Sequence, residues 1–397
     1  IVLNREYVFA DDNFAIFTWY GCKLQTVSEN ASSYVSDSTP MVAYVNTHMQ
    51  LEARRDAALA NQDYGPRVLV AGPSDSGKST AARILAAYAC RLDRTPVYVD
   101  LDVGQSSVAV PGTICATPLN KLGLSVEEGF LRASPLIYSL GYVTPRDHAE
   151  LYNKLVSVLA GKVNDRLDRD VDLRSAGMIV NTCGYIEDDG YDILLESIKS
   201  FAIDIVLVMG HDRLYSSLCN SLKDSCIVVK LPLSGGVVRR ERQYRTRSRQ
   251  SRIKEYFYGH VSLSSSVSPV YSPARIDIQI SAVKFIRAGG LQLAENLRVM
   301  GDAGNEATQL VCVSPTEAEL SRCILAVLHP LPEGSSSGSS SKSEEIPQAL
   351  LQQNVAGFLY VVSLNLEQDR MTVLSPCNAA LPSPYLLVGS FKWDDSK

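Results

Sequence analysis

Nine consecutive residues, Gly72-Pro73-Ser74-Asp75-Ser76-Gly77-Lys78-Ser79-Thr80, fit the pattern G-x-x-x-x-G-K-[ST]. The run follows the apolar stretch Val68-Leu69-Val70-Ala71 and opens an Ala-rich stretch, Ala81 to Ala89. That context makes it a strand, a glycine loop and a helix start. Glycines at 72 and 77 let successive backbone N–H groups converge on phosphate oxygens, and the helix N-terminus adds positive potential. Lys78 is placed to reach the β- and γ-phosphates, and the Ser79 hydroxyl to bind Mg²⁺. The expected ligand is ATP with Mg²⁺.

Such a loop needs an acidic partner at the end of a nearby strand. Val97-Tyr98-Val99-Asp100-Leu101-Asp102 supplies two carboxylates, and strand alternation puts both on one face at the carboxyl end. One would steady Mg²⁺ while the other accepts a proton from an attacking hydroxyl. The residues alone leave Asp100 and Asp102 tied. A third candidate is the basic run Arg239, Arg240, Arg242, Arg245, Arg247, Arg249, Arg252 and Lys254. Read as a helix, it puts Arg245, Arg249 and Arg252 on one face, where guanidinium groups would stabilise a transferring phosphoryl group. A grip on a nucleic-acid backbone, a solvated helix and a nuclear import signal are the other readings of the same run.

These residues must be carried by a parallel sheet. Short, wholly apolar runs at Val68–Ala71, Val97–Val99, Met178–Val180 and Ile203–Met209 alternate with helical stretches, as in a sheet covered on both faces. Flanking it, residues 1–64 contain Phe14–Tyr20 and Met41–Val45, which read as strands, and a helix from about Thr47 to Asn61. Residues 260–397 contain further strand-like pieces at Ile276–Ile280, Leu310–Val313, Gly357–Val362 and Met371–Leu374, and a Ser/Gly loop at 334–343. The fold class is therefore α/β: a central P-loop NTPase domain over 65–259, between an N-terminal and a C-terminal small β domain.

Bulk composition agrees. With 46% hydrophobic residues, 20% charged residues and a net charge of −5, the chain is an ordinary globular one that does not coat nucleic acid with its whole surface. No apolar run is long enough to span a membrane, and Ile1–Glu6 does not read as a signal peptide. The chain lacks an initiator Met, which fits a numbering that starts inside a longer one. Nine scattered cysteines without a Cys-x-x-Cys pair read as free thiols of a reducing compartment, and no protein-only zinc site is expected.

The motifs also carry a resemblance. Asp75–Thr80, Leu101-Asp102-Val103-Gly104-Gln105, Pro111-Gly112-Thr113, Asn181-Thr182-Cys183-Gly184, Ser234–Val238 and Tyr256-Phe257-Tyr258-Gly259 resemble, in the same order, the Clp-type polynucleotide 5′-hydroxyl kinases. Phe17-Thr18-Trp19, Val45-Asn46-Thr47-His48 and Leu374-Ser375-Pro376 extend the likeness over nearly the whole chain. The resemblance implies a nuclear protein that holds ATP-Mg. It also implies binding to the scaffold subunit of cleavage factor IA, among other factors of pre-mRNA 3′-end cleavage and polyadenylation. Active members phosphorylate RNA 5′-hydroxyl ends. By position, Lys78 and Ser79 become P-loop contacts, Asp102 the general base, and Arg240, Arg245 and Arg249 the lid arginines.

One stretch departs from the family pattern. Active members hold the RNA 5′ end with a clasp reading Thr-Thr-Pro-Gly-x-Asn, whereas this chain has Val143-Thr144-Pro145-Arg146-Asp147-His148. Thr144 is retained, Arg146 and His148 replace Gly and Asn, and Asp147 adds a negative charge where RNA phosphate should lie. Tyr185 stands where members carry the Trp that stacks on the terminal base. Three functions follow. The leading one is an ATP-bound subunit of the nuclear 3′-end processing factor in which ATP-Mg is a structural cofactor and kinase turnover is weak or absent. The second is a working RNA 5′-hydroxyl kinase. The third is a related kinase of ribosomal RNA processing or a P-loop enzyme acting on a small molecule.

Overall fold

The computed structural model describes residues 7, 15–25, 33–121, 123–125, 129–130, 134–223, 225–259, 272–289, 308–331 and 348–395. The Ser/Gly stretch 334–343 and Phe14 lie outside them.

The first sheet is built from β1 (Arg67–Ala71), β2 (Val97–Asp100), β3 (Thr113–Pro118), β4 (Leu136–Ser139), β5 (Met178–Asn181), β6 (Ile205–Met209) and β7 (Ile227–Leu231). Its order is β4-β3-β2-β5-β1-β6-β7. The five strands from β2 to β7 run parallel, while β3 and β4 are antiparallel additions at one edge. Helices α1 (Met41–Asn61), α2 (Lys78–Arg91), α3 (Ala149–Arg169), α4 (Val171–Ala176), α5 (Asp189–Ser200), α6 (Asp212–Ser221) and α7 (Arg242–Tyr258) accompany it.

Alternation along β1 shows why its sequence is apolar without a break. Val68 and Val70 join the core formed with Ala81, Ala82, Leu85 and Ala86 of α2. Leu69 and Ala71 point the other way, into the core formed with Leu151, Leu155 and Leu159 of α3. Each fully buried Val or Leu side chain contributes about 1.5–3 kcal/mol, so neither face tolerates a polar residue. Among the described residues, no helix is long and apolar enough to cross a membrane.

The N-terminal part differs from the sequence expectation. Met41–Val45 is the start of α1, not a strand, and residues 15–20 of the Phe14–Tyr20 run contain no strand. In α1 the buried positions are Tyr44, His48, Leu51, Glu52, Arg55 and Ala58, a helical period that five residues are too few to reveal. The helix packs on α2 and α4. Arg55 is fully buried, with Nε donating to the Ala176 carbonyl (2.9 Å) and Nη1 to Glu52 (3.1 Å).

The second sheet comprises β8 (Ala274–Gln279), β9 (Lys284–Ala288), β10 (Leu310–Cys312), β11 (Cys323–Leu328), β12 (Val355–Asn365), β13 (Arg370–Ser375) and β14 (Tyr385–Lys392), in the order β10-β9-β14-β11-β12-β13-β8. All four runs read from the sequence lie on its strands, with Ile280 and Val313 just past the ends of β8 and β10. One face forms its own core around Phe285, Leu325, Leu359 and Val361. The other face shares the core of the central sheet, through Ile253 and Phe257 of α7 and Phe358, Tyr360 and Trp393.

Candidate functional site

The carboxyl ends of β1, β5 and β2 bring the site together. Register sets Val70 beside Asn181 and Asn181 beside Asp100, so the glycine loop, an amide and a carboxylate lie in a row. The acidic strand is therefore one removed from the P-loop strand, and Asn181 spans the gap. Ser79 Oγ donates to Asn181 Oδ1 (3.2 Å), and Asn181 Nδ2 donates to Asp100 Oδ1 (3.0 Å). Asn181 had no role from the sequence alone. Its signal was a polar residue closing an otherwise apolar strand at the ligand-binding edge.

Backbone geometry shapes the loop. Gly77, the residue before α2, has φ +84°, and Asp75 has φ +59°, a conformation that Asp tolerates better than most residues. A side chain at Gly72 would meet the Met209 carbonyl at 2.9 Å. Gly184 closes the loop from outside, since a Cβ there would strike Ser74 N at 2.5 Å and Ser74 Cα at 2.6 Å. Ser76 Oγ and Lys78 Nζ both donate to the Pro73 carbonyl (2.8 and 2.7 Å).

The two carboxylates are no longer equivalent. Asp100 is buried and its oxygens are taken, Oδ2 by the amide and hydroxyl of Ser107 (2.8 and 2.9 Å), Oδ1 by Asn181 and the Asp102 amide. Asp102 is half-buried, and its Oδ1 accepts from Gly104 N (3.0 Å) and Gln105 N (3.1 Å). Burial first and the neighbouring Asp100 second push its carboxyl up to about 6, against the pull of Lys78 and those two amides. Burial draws the Lys78 ammonium below its ordinary value, and Asp102 opposes that.

The basic run is helical from Arg242 onward, with Arg239 and Arg240 before the helix. Arg245 Nη2 meets Asp75 Oδ2 at 2.7 Å, which joins α7 to the P-loop. Arg249 faces the same cleft, with Nη2 on Thr246 Oγ1 (3.3 Å) and a buried Nε that has no hydrogen-bond partner among the described residues. Arg252, the third residue of that face, is paired with Glu255 (2.7 Å). Arg240 uses its backbone: its N–H donates to Asp75 Oδ2 (3.0 Å) while the guanidinium carbon lies 5.2 Å from the Tyr244 ring centre. Gln105, unassigned before, links the Asp102 loop to α7 by donating to the Arg245 carbonyl (3.4 Å).

The stretch 143–148 lies beside this cleft. Thr144 is exposed, and its Oγ1 accepts from Arg146 N (3.3 Å). The Arg146 guanidinium carbon sits 5.1 Å from the centre of the Tyr185 ring, and His148 stacks on Tyr142 with centroids 3.6 Å apart. Gly190 borders the same tyrosine, because a Cβ there would approach Tyr185 Cδ1 to 2.9 Å.

Family models match along the chain. Residues 1–58 match the N-terminal beta-sandwich domain of polyadenylation factor, residues 72–259 the P-loop of mRNA cleavage and polyadenylation factor CLP1, and residues 271–395 the pre-mRNA cleavage complex II protein Clp1. The chain belongs to the Clp1 family. Family relatives include the human polyribonucleotide 5′-hydroxyl-kinase Clp1, 38% identical over 99% of this chain and 88% of its own length. The CLP1 homolog of Nematostella vectensis is 37% identical over 100% of this chain and 89% of its own. A solved Clp1p–Pcf11p complex has the same fold, with a TM-score of 0.71, 24% identity and coverage of 89% of this chain and 79% of that one. A second solved structure, at TM-score 0.71 and 24% identity over 89% of this chain and 80% of that one, is described as an extended Pcf11p–Clp1p interface and the basis for ATP loss in a point mutant. The Clp1 assignment thus covers the P-loop region and both flanking regions.

Proposed function

We propose that this Clp1-family chain is the ATP-binding subunit of a nuclear pre-mRNA 3′-end cleavage and polyadenylation factor, and that it holds ATP-Mg with weak or no phosphoryl transfer. Three features of the chain suit a triphosphate: the buried Arg249 Nε, without a partner among the described residues, the buried Lys78 ammonium that donates to a backbone carbonyl, and the glycine cradle of Gly72, Gly77 and Gly184. Lys78, Arg245 and Arg249 would hold phosphate oxygens, together with the loop from Gly72 to Thr80. Ser79 and Asp102 would hold Mg²⁺, with Asp100 and Asn181 orienting them. The nucleotide supplies the transferable phosphoryl group. A ligand held this way stabilises the folded chain by mass action.

The observation that carries the weak-kinase part is Arg146 lying over Tyr185. If Tyr185 is the stacking residue for an RNA terminal base, the chain's own guanidinium takes that place. The solved Clp1p–Pcf11p complexes support a scaffold subunit like Pcf11p as partner. The ranges matched by the family models support unit boundaries near residues 64 and 259.

A second reading, an active RNA 5′-hydroxyl kinase, draws on Asp102. A carboxyl pushed up to about 6 beside Lys78 is a base matched to neutral pH. The kinase name of the human relative points the same way. The deciding test is transfer of labelled γ-phosphate from ATP to a short 5′-hydroxyl RNA, beside Lys78→Ala and a measurement of ATP retained through purification. Retained ATP without transfer supports the structural role. Transfer that disappears with Lys78→Ala makes the chain a kinase. No retained ATP and no transfer overturns both.

A further inference from the structure

The last residues of β14 touch both halves of the candidate site. On one side, Ser390 N and Oγ donate to the Gly141 carbonyl (2.7 and 3.1 Å), and Gly389 packs on Gly141 so closely that a Cβ on Gly141 would lie 3.3 Å from Gly389 Cα. Gly141 N donates in turn to the Gly112 carbonyl (3.0 Å), and Gly112 N to the Val103 carbonyl (2.8 Å), next to Asp102. Gly104 of the same loop lies against Val143, where a Cβ would meet the Val143 carbonyl at 3.0 Å. A short ladder of backbone contacts therefore runs from β14 to the loop that carries Asp102.

On the other side the same strand end holds α7. Just past it, Trp393 stacks on Phe257 with centroids 5.6 Å apart and Tyr258 Oη donates to Asp395 (2.9 Å), while on β12 Phe358 N donates to Tyr256 Oη (2.9 Å). Phe391 meets α7 about two turns nearer its start, at Arg249 rather than Phe257. Its ring centre is 6.0 Å from the Arg249 guanidinium carbon, at the outer range of cation–π attraction. Thr246 on its own helix and this ring both lie against the Arg249 guanidinium.

The geometry points to the end of β14 and the residue after it, Gly389 to Trp393, as a strut that sets α7 against the Asp102 loop, with Phe391 as the positioning residue that aims Arg249 at the terminal phosphate of a bound nucleoside triphosphate. The second sheet is then part of the nucleotide site. It sets how strongly a triphosphate is preferred to a diphosphate, since an arginine aimed at the terminal phosphate has nothing to meet in the diphosphate. This inference rests on the ATP-binding reading above.

The test is calorimetric titration of the full chain with ATP and with ADP, in wild type, Phe391→Leu and Phe391→Tyr. Phe391→Leu keeps an apolar side chain and removes the π face. It should weaken ATP by about three- to tenfold and leave ADP within about twofold, while Phe391→Tyr keeps the wild-type preference. Should Phe391→Leu lose its fold, Phe391→Met fills the space without a π face and reads the same ratio. An unchanged ATP-to-ADP ratio in a folded variant, or a parallel loss of both nucleotides, overturns the role of Phe391 while ATP binding stands. Wild-type protein that does not distinguish ATP from ADP overturns it equally. Wild-type protein that binds neither overturns the proposed function and this inference together.

Discussion

Asp75 and Arg245 form an ion pair, 2.7 Å between Oδ2 and Nη2, that fastens the basic helix α7 to the phosphate loop. The pair joins residues 170 positions apart, and the same oxygen also accepts from Arg240 N. A carboxylate inside a phosphate-binding loop would otherwise repel the ligand, and here the arginine offsets its charge. Helix and loop are held together by groups that the chain supplies itself.

Asp75→Asn keeps a residue that tolerates the left-handed backbone and removes the charge. It should release the start of α7, so that trypsin cuts within Arg239–Arg252 several-fold faster. A half-exposed pair contributes only about 0.2–1 kcal/mol, so global stability should hardly move. Unchanged cleavage kinetics in the nucleotide-free protein count against the tether.

Gly184→Ala should disable nucleotide binding from outside the P-loop. The added Cβ would meet backbone atoms of Ser74 at 2.5 and 2.6 Å, and a backbone cannot step aside as a flexible side chain can. The expected loss is about 1–3 kcal/mol of stability, with ATP affinity at least tenfold weaker. Denaturant titration and ATP titration read the two effects separately, and wild-type affinity in the variant contradicts the tight closure.

Asp102 should make stability depend on pH in a set direction. Its carboxyl stands at about 6 in the folded chain against an ordinary 3.8, so the folded state binds that proton more tightly than the unfolded state. The stabilisation is complete below the unfolded value and fades as pH rises through about 6. Asp102→Asn removes the dependence. The variant should therefore gain on wild type between about pH 4 and pH 7, by on the order of 1–2 kcal/mol given partial solvent access. A wild-type-minus-variant difference that stays flat with pH contradicts the shift.

If Arg146 over Tyr185 is what restrains transfer to RNA, the double variant Arg146→Gly, His148→Asn should raise the rate of labelled phosphate transfer to a 5′-hydroxyl RNA by about tenfold or more. A cation on an exposed aromatic face is held by only about 0.5–1 kcal/mol, short of the ~1.4 kcal/mol that tenfold requires, so the rest of the gain must come from the altered backbone of the stretch. A variant that binds ATP normally and still shows no rise disposes of the clasp explanation.

Much of the chemistry was legible because it is local. The glycine loop Gly72–Thr80 and the apolar strands β1, β2, β5 and β6 depend on backbone angles and on burial from both faces, which residue types record directly. Met41–Val45 reads as a strand yet folds as helix for an equally local reason: five residues do not distinguish a period of two from one of 3.6. The order of the sheet was beyond any such reading. It inserts β5 between β1 and β2, makes Asn181 the bridge from Ser79 to Asp100, and thereby separates two carboxylates that the sequence left equal. The pairing of Asp75 with Arg245 and the approach of Phe391 to Arg249 are decided in the same way. Residues far apart in the chain become neighbours only through packing, and packing depends on all the surfaces at once.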